Sequence, residues 1–175
     1  MKRIVRLTFF LLAVLLPGFM CAATAEPIPE YDMKAAYLYN FAALTSWPEY
    51  TGKQIRLCVL GKDRFKGSLE KLAANAAGGI RISLSYLPNL KASENCQMLF
   101  IDSSEQANAE DILQYLDNMP VLTVTDSPDL FDAGVMIGLF VENKRLTFDV
   151  NYAQTKNAGL SVSSKLLRIA RRVLQ

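Results

Sequence analysis

The residues that could do chemistry in this chain are few, and their types exclude much of it. No histidine occurs in the 175 residues. Ser-His-Asp and Cys-His catalysis are therefore absent, as is any zinc site built on imidazole. Beyond a leader ending at Ala25, only two cysteines remain, Cys58 and Cys96, too few for a thiolate metal cluster. In an oxidising compartment such a pair most simply forms one disulfide. Closing the loop between them would stabilise the fold by about 4 kcal/mol in the chain-entropy model. A structural staple and a reducible redox sensor both fit that pattern.

The acids are the remaining candidates. Asp63, Asp102 and Asp126 each stand at or just past the carboxyl end of an expected strand, where sites in α/β proteins assemble. With a lysine nearby they would suit a phospho-receiver or a magnesium site. Asp and Ser after a strand equally cap the next helix or make a turn, and Asp102-Ser103-Ser104-Glu105 reads as such a cap. Gly61-Lys62 with Gly67-Ser68 lacks the G-x-x-x-x-G-K-[ST] spacing of a phosphate loop and reads as a turn. Lys165, Arg168, Arg171 and Arg172 form a basic run near the end of the chain. A solvated helix face accounts for it, and contact with anionic lipid or an acidic partner is the alternative.

The beginning of the chain reads as an export signal. Lys2, Arg3 and Arg6 precede an apolar run from Leu7 to Leu16, and Ala23-Thr24-Ala25 supplies an A-x-A cleavage pattern. The run is too short for a confident membrane span. Cys21 lies near the place of a lipoprotein cysteine, but Gly18-Phe19-Met20 lacks the small-residue pattern that lipidation uses. Expected boundaries are thus 1–25 for the signal and 26–175 for a single domain in the periplasm. Of the chain's 19 basic residues, three leave with the signal, so the remaining 16 face 17 acids. A net charge of minus one gives no field for nucleic acid.

The elements that must position these groups follow from periodicity. Tyr31 to Pro48 reads as a helix with Met33, Tyr37, Asn40, Phe41, Leu44 and Trp47 on one face, ended by Pro48. Gln54–Leu60 reads as a strand, Phe65–Ala77 as a helix stopped by Gly78-Gly79, and Ile80–Leu87 as an alternating strand. Gln97–Asp102 and Pro120–Thr125 are unbroken apolar runs typical of buried parallel strands, separated by a helix over 107–117. Gly134–Val141 and Arg145–Val150, joined by Glu142-Asn143-Lys144, have hairpin spacing and predict an antiparallel edge. A short helix or turn over 151–157 and a closing helix over Ser163–Leu174 complete the reading. The fold class is α/β: a mostly parallel sheet flanked by helices, then an antiparallel hairpin and a closing helix.

Four segments in order resemble the YfiR family of periplasmic regulators. They are Lys34–Phe41 ending in Trp47-Pro48, the Leu57–Gly61 strand, Cys96–Ile101, and Phe148-Asp149-Val150-Asn151 through Gly159-Leu160 to Ser163–Leu167. The resemblance covers essentially the whole chain beyond the leader. It implies a small α/β protein that acts by binding rather than catalysis and uses no cofactor. It further implies repression of an inner-membrane diguanylate cyclase through that enzyme's periplasmic domain, with an outer-membrane peptidoglycan-binding lipoprotein sequestering the repressor. A histidine kinase as target, or a small-molecule sensor module, is the alternative. Cys58 and Cys96 match a cysteine pair of the family; the second pair that some relatives carry has no counterpart in Phe131–Val141. Homodimerisation is implied too, with no residue specifying its face. Partner contact is expected around Asn151, Leu160, Lys165 and Arg168, and secondarily at Trp47 should its indole be exposed.

Overall fold

The computed structural model describes residues 28–48, 50, 52–75 and 79–175. The expected export signal, Cys21, and Ala76 to Gly78 at the expected end of the second helix lie outside these. Among the described residues no helix is long and apolar enough to cross a membrane.

The elements run in chain order as α1 (Glu30–Ala43), β1 (Thr45–Ser46), β2 (Gln54–Leu60), α2 (Ser68–Asn75), β3 (Arg81–Leu87), β4 (Met98–Ile101), α3 (Ala109–Tyr115), β5 (Leu122–Thr125), α4 (Pro128–Ala133), β6 (Ile137–Glu142), β7 (Arg145–Asn151), α5 (Tyr152–Asn157), β8 (Ser161–Val162), α6 (Ser164–Ile169) and β9 (Arg172–Leu174). Seven strands form one sheet in the order β3-β2-β4-β5-β6-β7-β9, and β1 pairs with β8 in a two-stranded ribbon. β3, β2, β4, β5 and β6 are mutually parallel, β7 is antiparallel to β6, and β9 is parallel to β7. The connection from β2 steps outward to β3 and then back across to β4. The winding direction thus reverses between β2 and β4, the switch point of a doubly wound sheet.

Two cores follow from the alternation of side chains along buried strands. Leu57, Val59, Met98, Phe100, Leu122 and Val124 face α1 and α2, where Leu38, Phe41 and Leu69, with Phe65 from the turn before α2, cover them. Cys58, Leu60, Leu99 and Ile101 face the opposite way, toward Ile112, Leu116 and Leu130 of the α3 and α4 side. Cys58 and Cys96 are joined by a disulfide with a Cα separation of 6.0 Å, tying β2 to the segment that leads into β4. Both half-cystines are buried.

The first helix is shorter than its sequence pattern suggests. It ends at Ala43, and Thr45-Ser46 leave it to pair with Val162 and Ser161. A β-branched residue beside a waiting strand adopts the extended form readily, so tertiary pairing, not Pro48, stops the helix. Its buried side consists of Lys34, Ala35, Leu38, Phe41 and Ala42. Of the expected face only Phe41 is buried within the helix; Asn40 is exposed. Phe41 and Tyr37 meet Phe148 of β7 edge-on, at 5.1 and 5.9 Å between ring centroids.

The end of the chain departs further. The expected helix over 163–174 stops at Ile169, and Ala170 is already extended, with φ −64° and ψ 142°. Arg171 and Arg172 then reach the fully buried Asp149 carboxylate: Arg171 Nε and Nη2 donate at 2.7 and 2.6 Å, and Arg172 Nε at 3.0 Å. The Arg171 N–H also donates to the Phe148 carbonyl at 2.8 Å. A buried carboxylate demands paired donors, and two consecutive guanidiniums can meet it only from an extended chain. β9 is the result, and it rather than β7 forms the sheet edge. Between Thr125 and Gly134 the structure adds α4, with Ser127 Oγ accepting from the Leu130 N–H and Pro128 at the first turn. The expected helix over 107–117 is preceded by a 3-10 turn over 103–108 and is helical from 109 to 115. The hairpin turn is tighter than read, with only Asn143 and Lys144 outside the strands, at φ 49° and 63°.

Candidate partner-binding surface

At the carboxyl ends of the strands, the three acids that could have formed a site are each engaged in holding the fold. Asp63 Oδ1 accepts from the Phe65 N–H at 2.8 Å. Asp102 Oδ1 accepts from the Ser104 N–H at 2.9 Å, and its Oδ2 accepts from Arg64 Nε at 2.6 Å. Burial opposes ionisation of Asp102, but the Ser104 N–H and hydroxyl together with Arg64 outweigh it and hold the carboxyl below its ordinary range. Asp126 accepts from Lys34 Nζ at 2.6 Å and from Tyr31 Oη at 3.1 Å. Burial would lower the Lys34 pKa, yet Asp126 and Glu30, each 2.6 Å from the ammonium, raise it. The turn-or-cap reading thus describes what these carboxylates do, Asp63 holding a turn and Asp102 capping the 103–108 segment.

The surface expected to meet a partner lies at the other end of the chain. β8 is held against β1, with the Ser163 N–H donating to the Leu44 carbonyl at 2.8 Å. Ser163 Oγ then accepts from the Lys165 N–H at 3.3 Å and starts α6. Leu166 is buried and pins the helix to the core. Lys165 and Arg168 point to solvent with Ile169, which is 67 % exposed. Among the described residues neither Lys165 nor Arg168 has an acidic partner within salt-bridge distance, whereas Arg171 and Arg172 are committed to Asp149. From Tyr152 to Gln175 the sequence holds five basic residues and no acid. This end of the molecule is therefore basic while the chain as a whole is nearly neutral.

The remaining expected residues fall into two groups. Asn151, half-buried, accepts from the Gln154 N–H at 3.3 Å and caps α5. Leu160 is 4 % exposed and Trp47 is 8 % exposed, so neither presents its side chain to a partner from this surface. The Trp47 indole N–H donates to the Gln97 carbonyl at 2.9 Å, which satisfies the polar handle that a buried tryptophan carries. Pro48 and Gly159 bring the two stretches together: a Cβ at Gly159, where φ is +72°, would lie 3.6 Å from Pro48. Ile169 is the residue that reading the sequence missed. It drops out of the inward set of Leu166, Leu167, Ala170 and Val173 at helical spacing, and that was the available signal.

The fold is shared with proteins of very different sequence. One similar structure is the ABC domain in complex with L-Trp from Streptococcus pneumonia, at TM-score 0.58 and 8 % identity, covering 82 % of this chain and 60 % of that one. Another is a conserved domain protein from Vibrio cholerae O1 biovar El Tor, at TM-score 0.57 and 9 % identity, covering 85 % and 61 %. The chain thus spans about three fifths of each, and the likeness is one of fold alone. Sequence similarity is more specific: the YfiR/HmsC-like family matches residues 31–171, a span that runs from the first turn of α1 past the exposed face of α6. The chain belongs to the YfiR/HmsC-like family.

Proposed function

We propose that this protein is a non-enzymatic regulator, exported to the periplasm, that binds the periplasmic sensory domain of an inner-membrane diguanylate cyclase and holds it inactive. An outer-membrane lipoprotein of the peptidoglycan-binding kind withdraws the regulator and so releases the cyclase. Family membership supports this reading. The observation that carries the contact surface is Ile169, an exposed aliphatic side chain beside Lys165 and Arg168, two cations with no acidic partner among the described residues, on a helix anchored by Leu166. Interfaces favour an apolar centre with an arginine beside it, and cations at the rim steer an acidic partner. Of the other residues expected in this contact, Asn151 is half-buried and Leu160 and Trp47 are buried.

Repression on these terms is a population shift. Binding must favour the inactive sensor over the active one, because equal affinity for both moves nothing. Carrying the sensor from almost fully active to almost fully inactive needs roughly a 10⁴-fold preference. The test is deletion of the gene, with cyclic di-GMP and surface attachment measured, and complementation by wild type or by K165E/R168E/I169D. A rise on deletion that wild type reverses and the triple variant does not, with an unchanged melting temperature, is the expected result. Full repression by the triple variant would remove the surface from consideration; no rise on deletion would remove the cyclase.

One observation favours a second reading, a small-molecule sensor. A cleft of about 750 Å³ opens beside the switch point at the ends of β2 and β3, with Leu60, Leu87, Leu90 and Ile112 along its floor and Lys62 and Glu105 at its rim. Clefts of this size and position hold ligands in open α/β sheets. A ligand there would raise the melting temperature, increasingly with the logarithm of its concentration above Kd. A histidine kinase as the regulated enzyme would show instead as altered kinase output at constant cyclic di-GMP.

A further inference from the structure

The cleft beside the switch point is lined asymmetrically. Its floor is aliphatic, with Leu60 and Ile112 buried and Leu87 and Leu90 half-buried, and no aromatic side chain lines it. Polar groups stand along one wall. There α3 continues directly from the 3-10 turn over 103–108. Glu105, Asn108 and Asp111 recur on this helical stretch at three-residue spacing, so all three share the side that lines the cleft. Gly61, at the end of β2, makes room for the first of them. A Cβ at that position would lie 3.0 Å from Glu105 Cγ and 2.7 Å from Ser104 Oγ. Glu105 Oε2 accepts from the Asn108 amide at 2.9 Å.

The charge around the cleft is predominantly negative. Among the described residues Lys62 is the one cation that lines it, and neither Glu105 nor Asp111 has a cation within salt-bridge distance. Lys62 is exposed and also lines the neighbouring cleft with Asp63, so its ammonium has a second place to turn. From Ala92 to Asn143 the chain carries ten acids and neither lysine nor arginine. Glu110 lies in α3, Asp117 just past it, and Glu94 accepts from the Tyr115 hydroxyl of α3 at 3.2 Å. A field of one sign over this layer raises the local concentration of cations at the cleft.

We infer that this cleft takes a linear aliphatic polyamine. Its methylenes lie on the floor of Leu60, Leu87, Leu90 and Ile112, and its end ammonium groups meet Glu105 and Asp111. The side-chain carbonyls of Asn89 and Asn108, which also line the cleft, accept the remaining N–H groups. The six-residue step between the two acids, half in 3-10 and half in α-helical geometry, covers about 10 Å along the axis. One ammonium cannot meet both carboxylates over that distance, whereas a chain with an amine at each end does. A bare divalent cation needs converging ligands, which acids spread along a helix do not supply. An aromatic cation finds no ring to stack on, and a dicarboxylate meets like charge. The inference rests on the small-molecule reading of this cleft and gives it a ligand class; it is independent of what the α6 face binds.

The test uses the exported protein with its disulfide intact and spermidine as the probe, in about 0.15 M salt so that loosely held counter-ions are screened. Calorimetry should show saturable one-site binding, and the amide NMR signals of Leu60, Leu87 and Ile112 should shift with it. E105Q/D111N removes both carboxylates without changing shape and should weaken binding about tenfold or more. E110Q/D117N removes the same charge outside the cleft and should change it less than about twofold. K62Q should tighten it. Octanediol and octanedioate, chains without the ammonium groups, should not bind. Should spermidine leave those signals unmoved while octanediol or octanedioate shifts them, the polyamine class falls and the sensor reading stands. If none of the three shifts them, the polyamine inference falls and the sensor reading loses its support with it. Equal losses in the two double variants would reduce the acids to a diffuse field and overturn the site.

Discussion

Replacing Lys34 by methionine should be the most damaging single change to a charged residue in α1. The Lys34 side chain is 5 % exposed and that of Asp126 is 8 % exposed, with 2.6 Å between ammonium and carboxylate. Methionine keeps the length and apolar stem but leaves Asp126 buried with only the Tyr31 hydroxyl, 3.1 Å away, to satisfy it. Breaking one side of a buried pair costs about 3–5 kcal/mol, because a charge is left uncompensated. A domain of this size has a total stability of about 5–15 kcal/mol, so the change consumes roughly a fifth of it or more. The converse substitution, Asp126→Asn, should cost less, since Lys34 retains Glu30 at 2.6 Å, whose side chain is 47 % exposed. Removing both charges, K34M/D126N, should recover most of the loss, because a neutral pair carries no desolvation penalty. Urea unfolding at neutral pH can be followed through Trp47, the chain's single tryptophan, which is buried in the fold. A K34M cost below about 1 kcal/mol, the size of an exposed pair, would refute the reasoning. So would a double variant no more stable than K34M.

Three further outcomes follow from other parts of the fold. Cys58→Ala/Cys96→Ala should lower stability by up to about 4 kcal/mol by the chain-entropy model, and thiol reagents should leave the buried wild-type bridge intact until the protein unfolds. Asp102 has a folded pKa below its unfolded value, so its contribution is full above the unfolded pKa, about 3.9, and is lost as pH falls through the folded one. Acid unfolding of Asp102→Asn should accordingly show a shallower loss of stability below about pH 4 than wild type, and an equally steep loss would count against the assignment. Lys144→Gly should stabilise the hairpin by about 0.5–1 kcal/mol, because Asn143 and Lys144 both hold positive φ and Asn-Gly is the preferred pair in such a turn. Thermal melts of the two chains would measure it.

Much of this architecture was legible in the residues. β2 has the expected bounds, and the parallel strands β3, β4 and β5 were marked by alternation or by unbroken apolar runs. Periodicity and turn residues are local properties, and these elements obey them. The Ser127-Pro128 signature of α4 was also present, in a stretch too short for periodicity to add weight. The hairpin could be read because two apolar runs flank a polar link, a pattern independent of the rest of the chain. Histidine's absence and the two cysteines bounded the chemistry without any geometry.

What lay beyond the sequence was decided by groups far apart along it. Leu166 to Leu174 has apolar residues at helical spacing, yet only the burial of Asp149, 22 residues before Arg171, makes an extended strand the lower-energy state there. Thr45 left its helix because Val162 offered it a partner. Trp47 and Leu160 sit in recognisable motifs, but which motif residues face water depends on the β1–β8 ribbon and the packing of α6. Local sequence sets what each segment can become; a buried charge or an open strand edge, which local propensity cannot register, sets which of those forms is stable.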